Sequence, residues 1–376
     1  MTERLVIASS SEIVLKSPMV RRFMENQLRR QIKDSLERKG VRHGRIIKGG
    51  GRTYVYSSDP EKALQVILRI PGIDFASIAI CTEADISPIC NSTIDCLATS
   101  LNLGESFAVR AKVIENEALS KREVEIKVGQ AVLDRLADKA PRVNLDRPDK
   151  TAYIEIRGSD AFIYCDPMNG PRGLPVGTQG KMLGVFSDIG LSTVASWMML
   201  RRGALIVPVC VEAWRGPSSG SLEAIVHSLA GFREWVPVRR LLAFILRTEE
   251  LAGKINEMTT ESVSNQVYLG SILRASDIIA AQEGALGIVV ADRTILNRAI
   301  ISICRTPVYQ PLIGLTEREL VEYFSVLGIR PRRVREPHDL VAEAPGRILE
   351  LAALLDDEDL QHGIMSLAEK RETLML

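Results

Sequence analysis

Lys181-Met-Leu-Gly-Val-Phe186 is a short apolar run that stops at Ser187-Asp188-Ile189-Gly190 and passes straight into the helix-forming stretch Leu191–Arg202. A strand that ends in a tight turn and feeds a helix is the building unit of a parallel α/β sheet, and the turn is where such a sheet offers backbone amides to a phosphate. The alternation continues downstream. Strand-length apolar runs at Ala204–Val211, Leu241–Ile245 and Gly287–Ala291 are interleaved with helical stretches at Leu222–Leu229, Val267–Gln282 and Thr316–Leu327. This pattern predicts a parallel sheet flanked by helices. Thr316 with Glu319 is a capping-box signature, and Gly328 supplies the stop.

The first half of the chain is patterned differently. Residues 4–8 and 12–16 have strand character, and Ser17, Pro18 and Gly40 then mark the start and stop of a helix. Val20, Met24, Leu28, Ile32 and Leu36 recur every four residues and predict its buried stripe. Gly49-Gly-Gly51 breaks the chain before a strand at Thr53–Tyr56, so residues 1–60 are expected to form a small ferredoxin-like α+β module. Residues 61–167 predict a second α/β module, with helices at Lys62–Leu68, Thr93–Leu101 and Lys121–Leu136. Its strands are expected at Phe75–Cys81, Phe107–Ile114, Ala152–Ile156 and Ala161–Tyr164. Pro and Gly crowd residues 168–180, which read as a linker. The parallel-sheet domain then occupies 181–340, and 341–376 form a helix-prone appendage that turns acidic at Asp356-Asp-Glu-Asp359.

Charge is unevenly spread. Residues 1–60 carry 13 Lys and Arg against 6 Asp and Glu, whereas residues 341–376 carry 3 against 8. A basic amino-terminal module suits a phosphate backbone, although a solvated charged face has the same composition. No apolar run approaches the roughly 20 residues that span a bilayer, and the opening residues lack a signal-peptide pattern, so a cytoplasmic protein is expected. The six cysteines and four histidines show no metal-ligand spacing. Most of the cysteines are expected to be buried small hydrophobes, and Trp197 a core residue.

Three blocks carry a family resemblance. Gly173-Leu-Pro-Val-Gly-Thr-Gln-Gly-Lys181 with Ala195-Ser-Trp-Met-Met-Leu-Arg-Arg-Gly203, then Pro307-Val-Tyr-Gln-Pro-Leu-Ile-Gly-Leu-Thr316-Glu-Arg-Glu319, and near the start Glu12-Ile-Val-Leu-Lys-Ser17 with Arg21 and Phe23, resemble the ThiI-type tRNA sulfurtransferases. The segments Phe107-Ala-Val-Arg110-Ala-Lys112, Val143-Asn-Leu145 and Pro148-Asp149 resemble a THUMP domain, an RNA-binding module. The resemblance implies a ferredoxin-like module and a THUMP domain followed by a doubly wound PP-loop sheet of the adenine nucleotide alpha hydrolase type. It also implies ATP with Mg2+, activation of a uridine oxygen as an adenylate and its displacement by sulfur. The implied partners are tRNA, a sulfur-donor protein and a second copy in a homodimer.

Carried onto this chain, the nucleotide positions are Val185, Phe186, Ser187, Ser192, Arg274 and Ala291. The candidate RNA contacts are Lys16, Arg22, Arg29, Lys33, Arg110, Lys112, Lys121, Arg122 and Lys127, because Lys and Arg anchor an RNA backbone without reading bases. Two departures stand out. The family loop reads Ser-Gly-Gly-x-Asp-Ser, and here Asp188 and Ile189 replace the glycines while Leu191 replaces the Asp. The family cysteine in an Asp-Cys-Cys-like turn corresponds to Glu336-Pro-His-Asp-Leu-Val341, which has none, and no rhodanese-type segment is recognisable. Cys210 and Cys304 are the nearest thiols; free sulfide would remove the need for either.

Two functions fit. One is an ATP-dependent tRNA sulfurtransferase making 4-thiouridine. The other is a relative that binds tRNA without adenylating it, since a carboxylate added beside a phosphate site repels the phosphate. Loop chemistry favours the second and family membership the first. An ATP-pyrophosphatase of another substrate class is a third reading, opposed by the THUMP-like segment.

Overall fold

The computed structural model describes residues 3–188, 190–211, 222–259, 261–293, 296, 298–329 and 351–376. They divide into two compact units, Met1–Gly173 and Leu174–Leu376.

The first unit runs β1 (Glu3–Ser9), α1 (Ser11–Val14), α2 (Pro18–Arg38), β2 (His43–Gly49), β3 (Arg52–Ser57), α3 (Pro60–Ile67), β4 (Phe75–Glu83), α4 (Ile86–Ser100) and β5 (Ser106–Ile114). It continues through α5 (Lys121–Arg135), β6 (Arg142–Val143), β7 (Lys150–Arg157), β8 (Asp160–Tyr164) and β9 (Met168–Asn169). The strands form one sheet in the order β2-β3-β1-β4-β8-β7-β5-β6, with β9 paired to β4. β1 lies between β3 and β4 and is antiparallel to both. The sheet built on β1 therefore continues past Pro60 into β4, which pairs with β8 on its other edge. Without β4, one edge of the buried strand β1 would be left with unmet amides and carbonyls. The same pairing explains why 12–16 is not a strand: both edges of β1 are taken, and the chain turns through α1 instead.

In α2, Met24, Leu28, Ile32 and Leu36 are buried as their spacing predicts. Val20 is 37% exposed, beside the exposed Leu15, Met19 and Phe23, so the first turn of the helix lies outside the core. On β5, Phe107 and Val109 pack with Val124, Val128 and Val132 of α5 and Leu97 of α4. Alternation then sends Arg110 and Lys112 to the opposite face of the sheet, where both are exposed.

The second unit contains β10 (Lys181–Phe186), α6 (Leu191–Arg201), β11 (Leu205–Val211), α7 (Leu222–Arg233), β12 (Leu242–Leu246), α8 (Glu249–Met258) and α9 (Glu261–Glu283). Then come β13 (Ile288–Val289), α10 (Arg298–Ser302), β14 (Val308–Tyr309), α11 (Glu317–Leu327), α12 (Glu358–Glu369) and β15 (Glu372–Met375). The strand order is β14-β13-β10-β11-β12-β15, parallel except for β15. Leu183 and Val185 face a core built with α8, α9 and α12. Met182 and Phe186 face a second core built with α6, α7 and α11. Both faces are sealed, as a doubly wound sheet requires.

The segment 168–180, expected as a linker, carries structure: Met168 and Asn169 pair with β4, while Leu174 and Gln179 donate their amides to the carbonyls of Arg201 and Gly203 in the second unit. The described part of the carboxy-terminal tail, 351–376, packs into the second unit. Leu360, Ile364 and Leu367 of α12 enter the core, and β15 pairs with β12 along its free edge.

Candidate functional site

The turn after β10 is held by its own side chains. The Ser192 hydroxyl, buried at the start of α6, accepts from the amides of Ser187 at 3.3 Å and Asp188 at 3.2 Å. Asp188 Oδ1 accepts from the amides of Gly190 at 2.8 Å and Leu191 at 2.7 Å. These amides open a helix and favour an anion by geometry and dipole, and in this chain a carboxylate meets two of them. Ile189 lies outside the described residues. Val185 and Phe186 offer no side chain to a ligand. Their side chains are sunk in opposite cores, with the Phe186 ring 5.4 Å from that of Phe232. Only their backbone can face the turn.

Arg274 lies on α9, as its helical stretch predicts. Its Nη1 donates to the Ile303 carbonyl at 2.6 Å and lies 3.4 Å from Asp277 Oδ2. Asp277 is itself buried and accepts from the amides of Arg305 at 3.2 Å and Thr306 at 2.8 Å. Arg274 thus fastens the turn before β14 to α9. Ala291 follows β13 at the rim of the second core.

The thiols are poor nucleophiles. Burial pushes Cys210 up to about 12. Burial, with the Asp277 carboxylate behind it, pushes Cys304 up to about 12 as well. Cys96 and Cys165 are paired, with Cα atoms 6.4 Å apart; Cys81, Cys90, Cys210 and Cys304 are free. Glu336 to Val341, including His338 and Asp339, lies outside the described residues. Among the described residues no group of three or more His, Cys, Asp or Glu could hold a metal ion, and no helix is long and apolar enough to cross a membrane. Trp197 is buried edge-on to Trp235 and Tyr323, as expected of a core residue.

In the first unit the nine candidate RNA contacts separate into groups. Arg110 and Lys112 line a groove of about 310 Å³ with Arg52, Phe75, Tyr153 and Glu155. Tyr153 stacks on Tyr164 at 5.2 Å, Phe75 lies 6.1 Å from Tyr164, and the Arg52 guanidinium sits 5.1 Å over the Phe75 ring. Glu155 anchors the floor, accepting from Arg52 Nε at 2.7 Å and from the Tyr164 hydroxyl at 3.1 Å. Burial alone would lower the Arg52 pKa, but Glu155 and Tyr164 beside it hold it above the usual value. Arg110 also donates to the Leu145 carbonyl, which ties the Val143–Leu145 segment to the groove.

Lys121, Arg122 and Lys127 lie on α5, which covers the other face of the sheet. Lys127 and Glu123 are 2.7 Å apart and Lys121 and Glu125 3.8 Å apart, so these two lysines are engaged along their own helix. Lys16, Arg22, Arg29 and Lys33 are exposed on α2 and the turn before it. The sequence reading missed Arg52, Phe75, Tyr153 and Glu155. The signal available was the alternation within β7, where Tyr153 and Glu155 share a face, but pairing Tyr153 opposite Arg110 requires the strand order.

Comparisons with known proteins place this arrangement. The model of the ThiI ferredoxin-like domain matches residues 5–77, that of the THUMP domain residues 83–166, and that described as thiamine biosynthesis protein (ThiI) residues 177–336. A probable tRNA sulfurtransferase of Methanosarcina mazei is 28% identical over 334 residues, covering 86% of this chain and 82% of its own length. One from Saccharolobus islandicus is 28% identical over 368 residues, covering 94% and 95%. A crystal structure of a 4-thiouridine synthetase–RNA complex with bound ATP shares the fold, with a TM-score of 0.81, 23% identity and full coverage of both chains. The structure of PH1313 from Pyrococcus horikoshii matches with a TM-score of 0.68 and 25% identity, covering 87% of this chain and all of that one. With all three domain models in family order and relatives matched over most of their length, the chain belongs to the ThiI-type tRNA sulfurtransferase family.

Proposed function

We propose that this chain binds tRNA across the sheet face of its first unit and uses ATP, held at the turn after β10, to activate a uridine for sulfur insertion. The observation that carries the reading is the pairing of two sites in one chain: a basic, aromatic groove on a THUMP sheet and a strand-turn-helix amide site in a ThiI sheet. In the groove, Arg52, Arg110 and Lys112 supply cations for phosphate, and the Tyr153 and Phe75 rings supply surfaces on which an unpaired base stacks. At the turn, the amides opening α6 take phosphate charge, and Mg2+ would accompany the nucleotide. Such an ion is held chiefly by the phosphates it accompanies.

Burial raises the Cys210 and Cys304 thiols, which disfavours either as a reactive thiolate at neutral pH. In this reading sulfur is taken from free sulfide or from a donor protein. The test is to incubate the full chain with unmodified tRNA, ATP, magnesium and sulfide, and to measure 4-thiouridine by mass spectrometry with AMP release. Formation of both products is expected. Their absence under conditions where a relative produces both would remove the catalytic reading.

The Asp188 hydrogen bonds favour one alternative, a tRNA-binding relative without adenylation. That alternative predicts tRNA affinity with no AMP release in the same assay.

A further inference from the structure

The strand order puts a topological switch point between β10 and β13. From β10 the chain moves to β11 and β12 on one side, then returns to place β13 on the other. Ligands of open α/β sheets bind in the crevice at the carboxyl ends of the two strands that flank such a point. β10 contributes the Ser187–Gly190 turn to this crevice. β13 contributes Arg293. Leu183 is level with Ile288 and Gly184 with Val289, so Ser187 and Asp188 after β10 and Arg293 after β13 leave the sheet from the carboxyl ends of neighbouring parallel strands.

The Arg293 side chain is only 12% exposed, and its nearest anion is Glu317 Oε1 at 3.9 Å, on an exposed side chain in the first turn of α11. Its Nη1 is buried and makes no hydrogen bond. α11 also abuts the turn, since a Cβ on Gly190 would lie 3.1 Å from Phe324. A buried guanidinium nitrogen without an acceptor is costly, and the guanidinium fork matches two phosphate oxygens.

We propose that Arg293 is a phosphate-binding residue of the nucleotide site, an assignment that rests on the nucleotide reading of the turn after β10. In the free chain two resident carboxylates stand in for the ligand, Asp188 on the turn amides and Glu317 opposite Arg293. A nucleotide polyphosphate takes over both sets of donors. The shared chemistry is a di- or triphosphate; the nucleoside contributes nothing to this contact.

Calorimetric titration of the full chain with ATP and magnesium, and separately with inorganic tripolyphosphate, tests the assignment. Relative to the unaltered chain, Arg293→Ala is expected to weaken both ligands about tenfold or more and Arg293→Lys less. Glu317→Gln is expected to tighten both several-fold, and because that residue is exposed the variant keeps its fold. Thermal melting of each variant serves as the folding control. ATP affinity within twofold of the unaltered chain in both Arg293→Lys and Glu317→Gln overturns the assignment while leaving the nucleotide site in place. No ATP binding by the unaltered chain or by Glu317→Gln, with tRNA binding intact, overturns the nucleotide reading and the assignment together.

Discussion

In the amino-terminal unit the exposed cations and aromatic rings lie across a sheet face, whereas in the carboxy-terminal unit both sheet faces are sealed and polar groups gather at the strand ends. The difference follows from strand direction and cover. The first sheet is largely antiparallel, with α4 and α5 packed on the face that carries Phe107 and Ile154. Its other face is finished by rings and stacked arginines, with Arg45 4.1 Å over Tyr56, Arg52 5.1 Å over Phe75 and Arg157 5.9 Å over Tyr54. The second sheet is parallel, and its crossovers place helices on both faces. An extended polymer suits the first arrangement, and a compact polyphosphate the second.

The contrast can be broken most severely through the cores. Phe244→Ala, in a fully covered strand of the second sheet, is expected to cost about 3–5 kcal/mol and to lower the melting transition of the second unit in calorimetry. Arg52→Ala acts on the first sheet by leaving the buried Glu155 carboxylate without its closest cation. Arg157 stays 3.3 Å from Glu155 and the Tyr164 hydroxyl still donates to it, so the expected loss is smaller, about 1–3 kcal/mol. Arg52→Ala with Glu155→Gln should recover part of it, and no recovery would show that packing, not charge, holds the groove.

The groove itself is sharpened by charge reversal. Arg110→Glu with Lys112→Glu is expected to weaken tRNA binding about tenfold or more and to flatten its salt dependence. Lys121→Glu with Lys127→Glu, on the opposite layer, should change it less. Equal effects in a salt-titrated filter-binding assay would mean that RNA wraps both faces. Thr316→Ala removes one arm of the capping box at α11 and is expected to cost about 1 kcal/mol in denaturant unfolding.

The smallest effect is a pH response. Burial raises Tyr54 from its usual 10 to about 12, so the folded state favours the neutral phenol. That contribution is complete below pH 10 and is lost as pH rises from 10 to 12. Tyr54→Phe should flatten the decline in alkaline melts.

Much of the second unit was legible from local pattern. Short apolar runs alternating with capped helices dictate a parallel sheet, and the strand-turn-helix at 181–202 locates its amide site without reference to any other part of the chain. The α2 helix was equally readable from Ser17, Pro18, Gly40 and a four-residue repeat. Short strands were harder: β14 and β15 carry few residues, and their identity as strands comes from partners far away in sequence.

The sequence by itself determined the fold class, the family and the candidate residue types, because periodicity, caps and turn chemistry act over a few residues. Only the tertiary structure decided which of those residues meet. Arg110 faces Tyr153 through a pairing between strands β5 and β7, Asp188 turns its carboxylate onto its own helix amides, and Arg274 is spent on the turn at Ile303. Side-chain partners across a sheet are set by strand order and register, which no local window of sequence encodes.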